Sequence, residues 1–183
     1  MGKLYTVGDL EREQEASAMR IAMAIAEAEK RKKKMKKCVV FDLDGTFVDN
    51  EHRRHFVTTK PKNWPAFVAA IPQDTVHEPV RDAMIALAEQ YTILVFSGRG
   101  EETREVSQQQ LEDAGVAHLV ERMYMRRPED NRRDDIVKEE ILDQALDDGY
   151  DPQFFFDDRP QVVRMWKRKG YFVFDCNQPG EEF

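Results

Sequence analysis

Four short apolar runs constrain this chain more than any other feature of its sequence: CVVFDLD from Cys38, TILVFSG from Thr92, FFFDD from Phe154 and YFVFD from Tyr171. Each is rich in Val, Ile or Phe and ends in polar residues, as strands buried on both faces of a parallel sheet do. Helical patterns lie at 79–90, 101–114, 133–147 and 159–169, and a further short strand is predicted at 118–124. Gly115, Gly149 and Gly170 stand where helices should stop before the next strand. This alternation predicts an α/β fold, a three-layer sandwich around a mainly parallel sheet, with its active edge at the strand C-termini.

Two segments fall outside the rhythm. The stretch 47–78 carries Pro61, Pro65 and Pro72 around a short helix expected at 63–71, and reads as a small cap-like insertion beside the active edge. Residues 1–37 read as a helical appendage, with one helix over 9–37 capped by Asp9 and a basic end, KRKKKMKK. Its apolar positions (Met19, Ile21, Met23, Ile25) do not sustain three heptads, so it is expected to dock on the body, on a second copy or on a partner rather than form a long coiled coil. The domain boundary is placed at 37/38, with residues 38–183 forming the α/β domain.

The 28 basic and 35 acidic residues give a net charge of -7. Seven of the basic residues sit in 30–37, leaving 21 against 35, or -14, elsewhere. That balance argues against wrapping a long duplex and leaves room for a local site gripping one phosphate end. Cys38 and Cys176 sit in short apolar runs and read as reduced, buried thiols. No apolar stretch is long enough to span a bilayer, so a soluble, cytoplasmic protein without membrane contact is expected.

The chemistry concentrates at strand ends. Val39–Thr46 (VVFDLDGT) delivers Asp42 and Asp44 two residues apart, on one side of an exiting strand, with Gly45 permitting a sharp turn. Ser97-Gly98-Arg99 follows the next strand, Lys138 lies in the helix after the third, and Asp157-Asp158 close the fourth. These sets should converge on one edge. Arg126-Arg127, after the third strand, are placed for phosphate contact. His52 and His55 lack a third ligand at fitting spacing and read as solvated loop histidines. Trp64 and Phe67 in the insertion either stack a base or pack locally, while Met165 and Trp166 read as core.

This ordered set resembles the haloacid dehalogenase (HAD) superfamily of phosphotransferases, whose first motif is DxDGT, and implies a Rossmann-like, HAD-like sandwich. The stretches from Arg132 to Ile141 and from Asp157 to Trp166, with the closing Gly180–Phe183, look like the 3′-phosphatase half of phage polynucleotide kinase/phosphatase. The resemblance implies a Mg²⁺-dependent phosphomonoesterase that removes 3′-phosphate from polynucleotide ends or nucleotides. Asp42 would be the nucleophile and Asp44 the acid and base, its carboxyl pKa raised to suit. Ser97 and Lys138 would bind the phosphoryl oxygens, with Thr46, Gly98, Arg99, Arg126 and Arg53 (or Arg54) binding substrate phosphate. Asp134 would support Lys138 or an arginine, and Mg²⁺ would be held by Asp42, Asp44 through its carbonyl, Asp157 and Asp158. A separate kinase or ligase would be a partner. None of the nine glycines sits in a Gly-x-x-x-x-Gly-Lys-Ser/Thr loop, so no 5′-kinase activity is expected of this chain. Competing readings are a small-metabolite or 5′-nucleotide phosphatase, and a non-catalytic binding module working through the basic helix end.

Overall fold

A computed structural model of the chain describes residues 7–177, in two compact units that meet at Met35/Lys36. The first unit is a single helix, α1 (Val7–Lys34), on which Met19, Ile21, Met23 and Ile25 are exposed. No described helix is long and apolar enough to cross a membrane. The helix stops short of the expected Lys37. Lys36 and Lys37 instead open the first strand, because they pair with Tyr150 and Asp151 and the Lys36 amide donates to Gly149 O at 2.9 Å. The boundary moves back accordingly, from 37/38 to 35/36.

The second unit is built on β1 (Lys36–Phe41). A two-stranded antiparallel pair, β2 (Val48–Asp49) and β3 (Thr75–Val76), brackets α2 (Glu51–Thr58) and α3 (Trp64–Ala69). Then follow α4 (Glu78–Leu87), β4 (Thr92–Gly100), α5 (Arg104–Asp113), β5 (Val120–Arg126), α6 (Asp134–Asp147), β6 (Tyr150–Asp157), α7 (Pro160–Arg168) and β7 (Phe172–Asp175). The main sheet runs β5-β4-β1-β6-β7, and every pairing in it is parallel.

Alternation explains the apolar runs. Val40, Leu94, Phe96 and Phe155 face one side, where Val137, Ile141, Val162 and Trp166 of α6 and α7 cover them. Val39, Phe41, Ile93 and Val95 face the other, against Met84 of α4 and Leu111 of α5. Both faces of β1 and β4 are dry, so apolar residues run unbroken from Cys38 to Phe41 and from Ile93 to Phe96. Trp166 is fully buried and stacks on Phe155 at 4.1 Å. Truncating such a side chain typically costs about 3–5 kcal/mol. Gly149, at φ +91, ends α6 and lets the chain turn at once into β6.

Candidate active site

The C-terminal ends of β1, β4, β5 and β6 carry the polar residues, and the insertion closes over them from one side. Immediately after β1 the chain turns through Gly45 at φ +80. A Cβ there would lie 2.0 Å from Asp158 Oδ2, so only glycine lets the β1 and β6 exits approach this closely. Thr46 is buried behind it, with its hydroxyl 3.3 Å from Asp158 Oδ1 and its carbonyl 2.8 Å from His77 Nδ1.

Two charge clusters result. In the first, Lys138 reaches from α6 between Asp42 and Asp157, with its Nζ 2.9 Å from Asp42 Oδ1 and 2.8 Å from Asp157 Oδ2. The Trp166 indole also donates to Asp157 Oδ2 at 3.3 Å, and the Arg159 amide to its Oδ1 at 3.1 Å. Carboxylate oxygens of Asp42, Asp157 and Asp158 all lie within 4.8 Å of one another, and all three residues are buried. Burial pushes the Asp42 carboxyl well above its ordinary range; Lys138 opposes this and the two neighbouring carboxylates add to it. Burial and Asp157 likewise raise Asp158. Lys138 itself is raised, since Asp157 and Asp42 outweigh the cost of burying its charge. Three carboxylates against one ammonium leave buried negative charge without compensation. That donor set fits a hard, oxygen-preferring divalent cation. Asp157 is already engaged by three donors, which leaves Asp42 and Asp158 the freer carboxylates.

The second cluster centres on Asp44, and here the structure departs from expectation. Asp44 Oδ1 accepts from Arg99 Nη2 at 2.6 Å, from Arg99 Nε at 3.0 Å and from Arg53 Nη2. Burial would raise the Asp44 carboxyl, but Arg99 and Arg53 together hold it below the usual carboxylate value, not above it. Its side chain therefore turns to the arginines and away from the acidic trio; for a metal it keeps only its main-chain carbonyl. Arg99 is likewise held by several protein acceptors. Beyond Asp44, its guanidinium donates to Ser107 Oγ, Gln110 Oε1 and Asp74 Oδ2. Of the two candidate loop arginines, Arg53 is the buried one facing Asp44, while Arg54 pairs with Glu51. Arg53 Nη1 is buried with no hydrogen-bond partner among the described residues.

Asp74 was not legible as a site residue. It accepts from Arg53 Nε at 2.6 Å and Nη2 at 2.7 Å, and from Arg99 Nη2 at 3.0 Å, with its side chain 0% exposed. His52 Nε2 lies 2.9 Å from it, so that histidine, exposed on α2 rather than in a loop, is a hydrogen-bond neighbour of the network. Ser97 is fully buried and its Oγ accepts from the Arg99 amide at 3.2 Å.

Arg126 and Asp134 form a staple beside the site. Arg126 donates to Gly98 O at 2.7 Å, to Asp130 O and Arg132 O, and to Asp134. Most of its donors are thus spent on holding the loop before α6, not offered to substrate. The other Asp134 oxygen takes Arg159, so Asp134 orients two arginines and makes no hydrogen bond to Lys138. A Cβ on Gly98 would meet Asp134 Oδ1 at 2.8 Å, which explains a glycine between Ser97 and Arg99.

The family model described as the polynucleotide kinase PNKP phosphatase domain matches residues 36–181. Two solved structures are similar over most of this chain. One, of the Pnkp1/Rnl/Hen1 RNA repair complex, shares 28% identity at a TM-score of 0.63, covering 77% of this chain and 42% of that one. Another, of the Pnkp1/Rnl/Hen1 complex, shares 28% identity at 0.66, covering 79% and 46%. The chain therefore spans less than half the length of those two proteins. A class C acid phosphatase from Bacillus anthracis, 15% identical at a TM-score of 0.57 over 87% of this chain and 73% of that one, has the same fold.

Proposed function

Since the chain belongs to the family of the polynucleotide kinase PNKP phosphatase domain, and is thus a HAD-type phosphatase, we propose that it removes 3′-phosphates from polynucleotide ends or nucleotides through an aspartyl-phosphate, with Mg²⁺ as cofactor. The observation that carries this is the placement of Asp42 at the end of β1, 2.9 Å from Lys138 and clustered with Asp157 and Asp158. Similarity to a protein of an RNA repair complex supports the choice of substrate and of a separate kinase or ligase as partner.

An Asp42 carboxylate oxygen attacks phosphorus, forming the acyl phosphate as the bond to the leaving oxygen breaks. Lys138, already at Asp42, stabilises the charge on the transferring oxygens, and the Ser97 hydroxyl adds a donor. Asp42, Asp158 and the Asp44 carbonyl would hold Mg²⁺, which would supply charge neutralisation between carboxylate and phosphate. Asp44 gives its proton to the departing 3′-oxygen and then takes one from the water that hydrolyses the acyl phosphate. For that first transfer its carboxyl must be protonated, against the pull of Arg99 and Arg53. An incoming phosphate competes for the same guanidiniums, and the unpartnered Arg53 Nη1 is a ready donor to it.

Phosphate release from matched 3′- and 5′-phosphorylated oligonucleotides and mononucleotides, with and without Mg²⁺, tests the reading. Release from 3′-ends that needs Mg²⁺ is expected. Preference for 5′-phosphates or small metabolites would leave only the general phosphatase.

A further inference from the structure

The insertion carries a surface that the reaction at Asp42 does not use. Its charge differs from that of the rest of the chain: the 22 residues from His52 to Gln73 hold four arginines or lysines and two histidines but no Asp or Glu, in a chain with 35 acidic residues. In its middle, Lys60-Pro61-Lys62-Asn63-Trp64-Pro65 leads into α3. Trp64 is 54% exposed, unusual for a large aromatic. The Lys62 ammonium sits 5.5 Å from the centre of its ring.

The indole is held in place. Asn63 caps α3, its Oδ1 accepting from the Ala66 amide at 3.1 Å, and its own amide donates to Phe56 O at 2.7 Å. Trp64 meets Phe67 edge-on at 5.7 Å, and Phe67 in turn lies 4.2 Å from the Arg53 guanidinium carbon. Arg53 hydrogen-bonds to Asp44. The exposed ring is therefore two contacts from a guanidinium that touches the proposed acid. A rigid aromatic flanked by ammonium groups is how single strands are gripped without sequence preference: bases stack, and cations follow the backbone.

Resting on the proposed activity toward polynucleotide ends, we propose that Trp64, with Lys62 and Lys60, is a stacking platform for a base of the single strand upstream of the 3′-phosphate. It sets a preference for a chain end over a mononucleotide. The ladder from Trp64 through Phe67 to Arg53 registers that strand against the active site.

Two measurements test this. The first is kcat/KM on a mononucleotide 3′-phosphate and on a 3′-phosphorylated oligonucleotide. Wild type is expected to favour the oligonucleotide, and Trp64→Ala to lower that ratio about tenfold through KM, as loss of one stacked base would; Trp64→Phe should recover most of it. The second uses the fact that, of the two tryptophans, Trp166 is fully buried. Titrating a short unphosphorylated oligothymidylate, or oligouridylate for RNA, should quench tryptophan emission saturably, and Trp64→Ala should abolish the response. Wild-type emission unmoved by either oligonucleotide, or an unchanged oligonucleotide-to-mononucleotide ratio in Trp64→Ala, would overturn the platform. Quenching without any 3′-phosphate release would support the platform and count against the substrate reading, so the two failures are distinct.

Discussion

Replacing Asp74 by asparagine removes one negative charge from a buried network and almost no volume. Its carboxylate is fully buried and receives three hydrogen bonds from Arg53 and Arg99, with His52 and Gln110 as further contacts. The Arg53 side chain is itself 0% exposed, so in the variant its cation faces only Asp44, which Arg99 already shares. Removing one partner of a buried pair typically costs about 3–5 kcal/mol. Asparagine keeps one acceptor, which places this variant near about 3 kcal/mol. For a domain of about 150–250 residues each kcal/mol moves Tm by about 2–4 °C, so a fall of about 6–12 °C is expected. Urea unfolding should show a lower midpoint at constant slope. Phosphatase kcat should fall as well, because both arginines lose the anchor that sets their geometry at Asp44. An Asp74→Asn protein within about 2 °C of wild type and fully active would refute the view that this carboxylate fastens the insertion to the site.

Other expectations follow from the same geometry. Asp42→Asn should abolish phosphate release while near-wild-type unfolding shows that the fold persists. Asp44→Asn should slow release from a nucleoside 3′-phosphate far more than from an activated aryl phosphate; equal losses would remove Asp44 as proton donor. Burial raises Asp158 to about 7 and also raises Asp42, so approaching neutrality the folded state binds more protons there than the unfolded chain does. Metal-free stability should therefore fall as pH rises through about 7. Mg²⁺ should restore it, by about 2.7 kcal/mol at a hundredfold excess over Kd, an effect that shrinks in acid; thermal unfolding with Mg²⁺ against EDTA measures both. A chain starting at Lys36 should fold and release phosphate from a mononucleotide, as the division into two units implies.

The strand-end residues were legible because each follows an apolar run at a fixed offset, and a parallel sheet brings such ends together whatever the loops do. The buried network was not. Asp74 meets Arg53 only after β2 pairs with β3, and Arg159 meets Asp134 only once the starts of α6 and α7 come together. Neither contact leaves a local pattern. The start of β6 was also hidden: Asp151 and Pro152 are poor strand formers, yet they pair with β1, and Gln153 is passed over where the register shifts at Cys38/Val39. Lys36 and Lys37 continue the charge of the helical run before them, yet strand pairing with Tyr150 and Asp151 decides their conformation.

The antiparallel pair Val48–Val76 and Asp49–Thr75 gives the insertion one narrow doorway into the sandwich. A segment that leaves and returns at the same place can be lengthened or exchanged without moving any strand of the main sheet, since doubling a loop adds only about 0.6 kcal/mol of closure entropy. Substrate range and core stability are thus free to evolve separately. The exceptions are the guanidinium at 53 and the carboxylate at 74, both of which any grafted segment must supply if Asp44 is to keep its partners and Arg99 its anchor.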